Sequence, residues 1–136
     1  MQSFISPESL AWSSYRSVQD IPELRRTTIR ELTEHTRRAV VLGCVTRIGS
    51  IKNFETPNGG QRRICTFIIR DSTDSIAVLT WGSLATIVST QLRKGGKIVI
   101  ENPVVKCRKR ESGFFQTTSK LELSIDDKEA RFFIFI

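Results

Sequence analysis

Trp81 is the residue whose type and position point most directly to chemistry. It ends the outward row of a predicted β-hairpin whose first strand begins and ends with arginines. A flat aromatic ring on a protein surface stacks planar groups, and for nucleobases this contributes ~1–3 kcal/mol per base, whichever the base. The alternative is that the ring covers the core as a hydrophobic lid. The outward parity of the strand favours the stacking role.

Two segments of the chain carry most of its positive charge. The formal net charge is +7, and residues 25–70 alone hold ten basic and three acidic residues, a net of +7. Residues 102–120 hold five basic residues and one acidic residue, a net of +4. This surplus indicates an anionic partner. The candidate phosphate contacts are Lys52, Arg62, Arg63 and Arg70 on one side of a groove, and Lys106, Arg108, Lys109 and Arg110 on the other.

These cations would hold phosphates as charges without reading a base sequence. Residues 106–110 also fit a nuclear-localisation signal or a plain solvated loop, and both interpretations are compatible with nucleic-acid contact.

The hairpin at residues 62–81 is the stretch around which the other elements are arranged. Apolar residues alternate with polar ones on both sides of the polar turn at residues 71–74, which is typical of paired strands. The predicted inner face is Cys65, Phe67, Ile69, Ile76 and Val78. The predicted outer face is Arg63, Thr66, Ile68, Arg70, Ala77, Leu79 and Trp81.

The remaining elements complete a small barrel. Residues 27–32 predict a short helical turn capped by Thr27 or Thr28, with Ile29 and Leu32 closing one end of the core. The other predicted elements are a first strand (39–51) bent at Gly43, a loop (52–61), a helix (83–92) with Ser83 as N-cap, a fourth strand (97–105) kinked near Pro103, a basic loop (107–113) and a fifth strand (115–125). Three strands, a helix and two strands predict an all-β, five-stranded OB-fold barrel with one helix between strands 3 and 4.

The predicted domain organisation is one domain with two short extensions. Residues 1–24 read as a flexible N-terminal arm, residues 25–127 as the OB-fold domain and residues 128–136 as a short C-terminal tail. The apolar end of that tail, RFFIFI, predicts an exposed adhesive segment.

A family resemblance adds to this interpretation. The stretch FIIRDSTDSIAVLTWGS, followed by KGGKIVIENPVVKCRKRE, resembles OB domains of the replication protein A large subunit. It is more similar still to the first OB domain of the meiosis-specific protein with OB domains, over about residues 28–125. Similar hairpins occur in anticodon-binding domains of some tRNA synthetases.

The resemblance implies a nuclear, chromosomal protein that binds single-stranded DNA in meiotic homologous recombination and crossover formation. It also implies replication protein A and a meiosis-specific OB co-factor as partners. Phe54, on the first long loop, matches a position where such proteins place an aromatic residue. Of the adjacent pair Phe114 and Phe115, it favours Phe114 as the stacking residue.

Catalysis and metal binding have little support in the sequence. Single-strand exonuclease activity is associated with the resembled family, but the acidic residues form no paired-metal motif, so we expect no enzyme activity. Three unclustered cysteines and one histidine predict no metal site, no cofactor and reduced, buried thiols in an intracellular protein. No apolar run approaches the length of a membrane span. Two alternatives remain open, namely a protein-interaction OB domain and an RNA- or tRNA-binding one.

Overall fold

The computed structural model describes residues 2–4, 26–108, 117–125 and 131–135. The strands are β1 (Gln2–Phe4), β2 (Val40–Ile48), β3 (Lys52–Glu55), β4 (Gln61–Arg70), β5 (Ser75–Trp81), β6 (Lys97–Glu101), β7 (Val104–Cys107), β8 (Leu121–Ile125) and β9 (Arg131–Phe135). One helix, α1 (Ser83–Gln91), lies between β5 and β6, and a single 3-10 turn spans Ile29–Glu31. Among the described residues, no helix is long and apolar enough to span a bilayer.

The strands form one continuous sheet in the order β1-β9-β6-β2-β4-β5-β8-β7. Strand β3 pairs with the first residues of β4, from Gln61 to Ile64. All pairings are antiparallel except the one between β5 and β8. The first strand therefore contacts both the second (β4) and the fourth (β6), and the last strand of the barrel returns parallel to the third. This is the Greek-key pattern of an OB-fold, with β6 and β7 together serving as the fourth strand. The predicted fold class is confirmed.

The core lies inside this curled sheet, closed at one end by α1 and at another by the 3-10 turn. All five predicted inner residues of the hairpin are fully buried, from Cys65 through Val78. From α1, Leu84, Ala85 and Val88 join them, because they recur at helical spacing along one face. Ile29 and Leu32 are buried as predicted.

The first strand is shorter than predicted, and its irregularity lies at a different residue. β2 ends at Ile48, and its register against β4 shifts between Val45 and Arg47, two residues beyond Gly43. Gly43 instead permits a close crossing, because a Cβ there would stand 2.8 Å from the Cβ of Ile69. Lys52 to Glu55, predicted as loop, form β3. Only residues 56–60 connect β3 to β4.

Other boundaries follow from local backbone chemistry. The fourth strand breaks at Asn102, whose φ is +55°, and at Pro103, which cannot donate to a ladder. Helix α1 begins at Ser83, and Gly82 occupies the cap position with φ +66° and ψ −135°. That conformation favours glycine strongly, so the prediction of Ser83 as N-cap is wrong.

The two ends of the chain join the same sheet. β9 pairs with β6 along its whole length, and β1 pairs with β9. Phe132 and Ile134 are buried in the core, so the expectation of an exposed, adhesive end is wrong for these two residues. The rest of the predicted arm lies outside the described residues.

Candidate nucleic-acid interface

Strand registers define one continuous outer face across β3, β4, β5, β8 and β7. Paired residues in a sheet point to the same side. One row runs Lys52, Ile64, Trp81; the next runs Thr66, Leu79, Ser124, Val104; the third runs Arg47, Ile68, Ala77, Glu122, Lys106. We call these three rows, together with Arg62 and Arg70 at the two ends of β4, the outer groove.

Trp81 lies in the first row of the outer groove and is half-buried. Its indole Nε1 donates a hydrogen bond to Oγ of Ser124, 3.1 Å away on β8. The guanidinium carbon of Arg62 stands 4.5 Å from the ring centroid. The ring is thus held across the sheet surface and is not part of the barrel core, as the parity of its strand predicts.

The floor beside Trp81 is partly apolar. Ile64 and Leu79 are half-buried, and Val104 is 51% exposed. Among the described residues, Val104 is the one large hydrophobic residue that is exposed. A flat ring with aliphatic neighbours offers planar ligands such as bases a dispersion surface.

Cations border this floor on several sides. Lys52, Arg62, Arg70 and Lys106 are exposed on the outer groove. Arg47 joins them as an exposed residue in the third row, and sequence reasoning missed it. The register shift after Val45 brings Arg47 opposite Ile68, and no composition signal marks such a shift. Glu122, opposite Lys106, is the acidic residue within the three rows.

Arg63 does not lie on the outer groove. Along β4 it shares the parity of Cys65, and its Nη1 donates to the hydroxyl of Thr86 on α1. The prediction that placed Arg63 in one row with Thr66 and Ile68 is therefore wrong. Strand alternation alone, applied consistently, would have put it on the helix side.

The root of the basic loop is described, but its tip is not. Arg108 is half-buried, and its Nη1 donates to Oγ1 of Thr117 at 2.6 Å, which ties the two ends of the loop together. Lys109, Arg110 and Phe114 lie outside the described residues. Phe54 lies on β3, where its backbone pairs with that of Arg62 at one end of the outer groove.

The far end of the outer groove is set by the β4–β5 turn. Oδ1 of Asp71 accepts hydrogen bonds from the backbone N–H of Thr73 and Asp74, and Oδ2 accepts one from Ile29 at 2.8 Å. Burial by itself raises the pKa of Asp71, but hydrogen bonds from Thr73, Ile29 and Asp74 outweigh it, so the pKa lies below its usual value. Asp71 is therefore a turn residue, as the sequence indicates.

The three cysteines differ in burial. Cys65 is buried and burial raises the pKa of its thiol, whereas Cys44 is half-buried and Cys107 is exposed. All three are free, so the expectation of buried thiols is right for Cys65 and wrong for Cys107. In the part of the chain that the structure describes, no three His, Cys, Asp or Glu residues are grouped as metal ligands would be.

Comparison with known families decides the assignment. The family model described as MEIOB, N-terminal, an OB domain, matches residues 23–135. The chain belongs to this MEIOB N-terminal family. The resemblance to the first OB domain of the meiosis-specific protein with OB domains is thereby confirmed. A search of curated protein sequences gave no match for this MEIOB-family domain.

Solved structures support the fold of this MEIOB-family domain. A replication factor A related protein from Methanobacterium thermoautotrophicum is 24% identical, with a TM-score of 0.63 over 84% of this chain and 94% of that one. DNA-binding domain A of Saccharomyces cerevisiae replication protein A is 16% identical, with a TM-score of 0.63 over 79% and 90%. A replication protein A heterotrimer bound to single-stranded DNA gives 14% identity and a TM-score of 0.66, covering 76% of this chain and 23% of that one. At these identities, the similarity establishes the OB-fold.

Proposed function

We propose that this domain binds single-stranded DNA in the outer groove, by base stacking and phosphate contacts without strong sequence preference. The observation that carries the proposal is Trp81, half-buried on the sheet surface, with Arg62 over its ring and exposed Lys52 in the same row. Exposed Arg47 and Lys106 lie farther along the same face, in the third row. An aromatic platform inside a cationic border is the arrangement by which OB domains hold single strands.

The geometry favours a single strand over a duplex. Stacking on Trp81 requires a base whose flat face is free, and bases in a duplex are already stacked on their neighbours. The outer groove carries five exposed cations, namely Arg47, Lys52, Arg62, Arg70 and Lys106. They contribute a sequence-independent attraction to phosphates that weakens with salt.

Family membership supports a role in meiotic homologous recombination and crossover formation, in the nucleus and on chromosomes. One structural neighbour is a replication protein A heterotrimer bound to single-stranded DNA, which supports replication protein A as a partner on shared DNA. We also infer a meiosis-specific OB co-factor. In this proposal the domain acts as a binding module and not as an enzyme.

The test is fluorescence anisotropy of labelled single-stranded DNA at two salt concentrations, with Trp81→Leu and Trp81→Phe beside the parent. Leu keeps apolar bulk without a flat ring, whereas Phe keeps a smaller ring. Loss of one stacked base costs ~1–3 kcal/mol, which is roughly 5- to 150-fold in affinity. We expect Trp81→Leu to show that loss and Trp81→Phe to recover part of it.

Two results would sink the proposal. One is an absence of binding at low salt by a chain shown to be folded by circular dichroism. The other is equal affinity for the parent and Trp81→Leu. Competition with RNA of the same sequence separates DNA from RNA binding. The burial of Phe132 and Ile134 leaves these two residues unable to contribute to the protein-interaction alternative.

A further inference from the structure

A cleft lies on the other side of β4 from Trp81, between the start of that strand and the start of α1. It has a volume of about 680 Å³, and its lining includes Asn53, Gln61, Arg62, Arg63, Ser83 and Thr86. A volume of this size falls within the range of ligand-binding pockets, about 300–1,000 Å³. We call it the helix cleft.

Arg63 is fixed in the helix cleft by two neighbours. Its side chain donates to the hydroxyl of Thr86, and its backbone carbonyl accepts a hydrogen bond from Gly82 at 2.9 Å. A guanidinium carries five N–H donors in a rigid fork, so one bond to Thr86 orients Arg63 and leaves the rest of the fork for a ligand. The residue is exposed, so an incoming group reaches it from solvent.

The charge of the helix cleft selects the class of ligand. Its lining has two arginines and two side-chain amides, and none of its lining residues is acidic. The fork geometry of arginine matches the oxygens of a phosphate group especially well.

Arg62 connects the helix cleft to the outer groove. Its guanidinium lies over the Trp81 ring, and the same residue lines the helix cleft. Arg62 and Arg63 are neighbours along β4, so Arg62 stands where the outer groove and the helix cleft meet.

We propose that the helix cleft is a second phosphate-binding site, which holds the backbone of a single DNA strand after it leaves the outer groove. Arg63, oriented by Thr86, is its main contact, and Asn53 and Gln61 donate to phosphate oxygens beside it. The proposal rests on the proposed function of the outer groove and extends the path of the strand around the end of β4.

The test measures affinity against the length of labelled oligothymidine, at about 5 and about 12 nucleotides, within the ~4–16 that OB domains cover. Arg63→Gln removes the charge, Arg63→Lys retains it, and Arg93→Gln is the matched control at an exposed arginine outside both surfaces. A Trp12→Phe background leaves Trp81 as the sole tryptophan. Its quenching by the short oligonucleotide reports occupancy of the outer groove separately.

We expect Arg63→Gln to leave the short oligonucleotide unaffected and to abolish the extra affinity of the long one. The salt slope for the long oligonucleotide should become shallower by about 0.7, the value of one phosphate contact on a single strand. Arg63→Lys should recover the slope in part, and Arg93→Gln should change neither length.

Three results overturn the helix cleft as a phosphate site. In the first, Arg63→Gln leaves the affinity unchanged for both oligonucleotide lengths. In the second, it weakens the affinity for both lengths equally. In the third, its affinities equal those of Arg93→Gln. A failure of the outer groove is distinguishable, because the short oligonucleotide would then leave Trp81 unquenched in the parent. Equal thermal unfolding of all variants ensures that each comparison concerns folded protein.

Discussion

The guanidinium of Arg62 lies over the indole of Trp81, with its central carbon 4.5 Å from the ring centroid. A cation over an exposed aromatic face contributes about 0.5–1 kcal/mol. The same face is a surface on which a base would stack. In the proposed function, a base that stacks on this face replaces the cation–π contact and frees Arg62 for a phosphate.

Replacing Arg62 should have two effects, namely greater exposure of Trp81 and weaker DNA binding. In a Trp12→Phe background, Arg62→Ala should make Trp81 more accessible to acrylamide quenching, because the ring loses its cover. The salt slope should become shallower by about 0.7, because one phosphate contact is lost. Arg62→Lys is the control, since it keeps the charge and should keep the slope. Unchanged quenching in Arg62→Ala would contradict this arrangement.

A second prediction concerns the root of the basic loop. The backbone N–H of Thr118 donates to Oγ of Ser75 at 3.0 Å, and that of Ser75 donates to Oγ1 of Thr118 at 3.1 Å. The Thr118 hydroxyl also donates to Asp74. These bonds tie the returning end of the loop to the β4–β5 turn, so Thr118→Val should weaken DNA binding by displacing the loop cations.

A double-mutant cycle separates this effect from general destabilisation. If Thr118 acts through the loop, Thr118→Val should cost little further affinity once Lys109 and Arg110 are replaced by alanine. The expected coupling is about 0.5 kcal/mol or more, as for residues that share a network. Additive losses of affinity would rule out that route.

Asp71 predicts a specific loss of stability in acid. Its pKa is lower in the folded protein than in the unfolded chain, so it stabilises the fold above the unfolded value of about 3.9. That stabilisation is lost as the pH falls from about 5 through the folded pKa. Asp71→Asn should lower the free energy of unfolding at neutral pH by roughly 1 kcal/mol. It should also flatten the acid dependence.

Both effects can be measured by urea unfolding of the parent and Asp71→Asn between about pH 3 and about pH 7, a range that covers the titration of carboxylates. Glu55→Gln on β3 is the control for removing a carboxylate outside the turn. A parallel acid dependence in the parent and Asp71→Asn would show that the turn does not depend on the charge of Asp71.

Gly43 predicts a packing defect without a binding defect. A methyl group there would stand 2.8 Å from Cβ of Ile69, and that β-carbon lies too near the β4 backbone to move away cheaply. Gly43→Ala should lower the free energy of unfolding by about 1–3 kcal/mol, the usual cost of overpacking. DNA affinity per folded molecule should stay near that of the parent, since Gly43 faces the core. A melting temperature unchanged from the parent would contradict the close crossing.

The sequence by itself determined the hairpin, its inner face, helix α1 and the OB-fold order. These features follow from local periodicity and turn chemistry, which each segment carries within itself. The inner residues Cys65 through Val78 and the outward place of Trp81 are consequences of a period of two. The same period also places Arg63 on the helix side of β4, with Cys65.

Tertiary structure decided the features that depend on strand pairing and register. The register shift that brings Arg47 to Ile68 arises where β2 curls across β4, and no residue type marks it. The pairing of β9 with β6 buries Phe132 and Ile134, whereas the same apolar run read alone looks exposed. Arg62 and Arg63 are neighbours in the chain yet serve two surfaces, because the sheet has a groove on one side and a helix on the other. Local chemistry thus specifies the elements, and long-range pairing specifies which cations share a surface with Trp81.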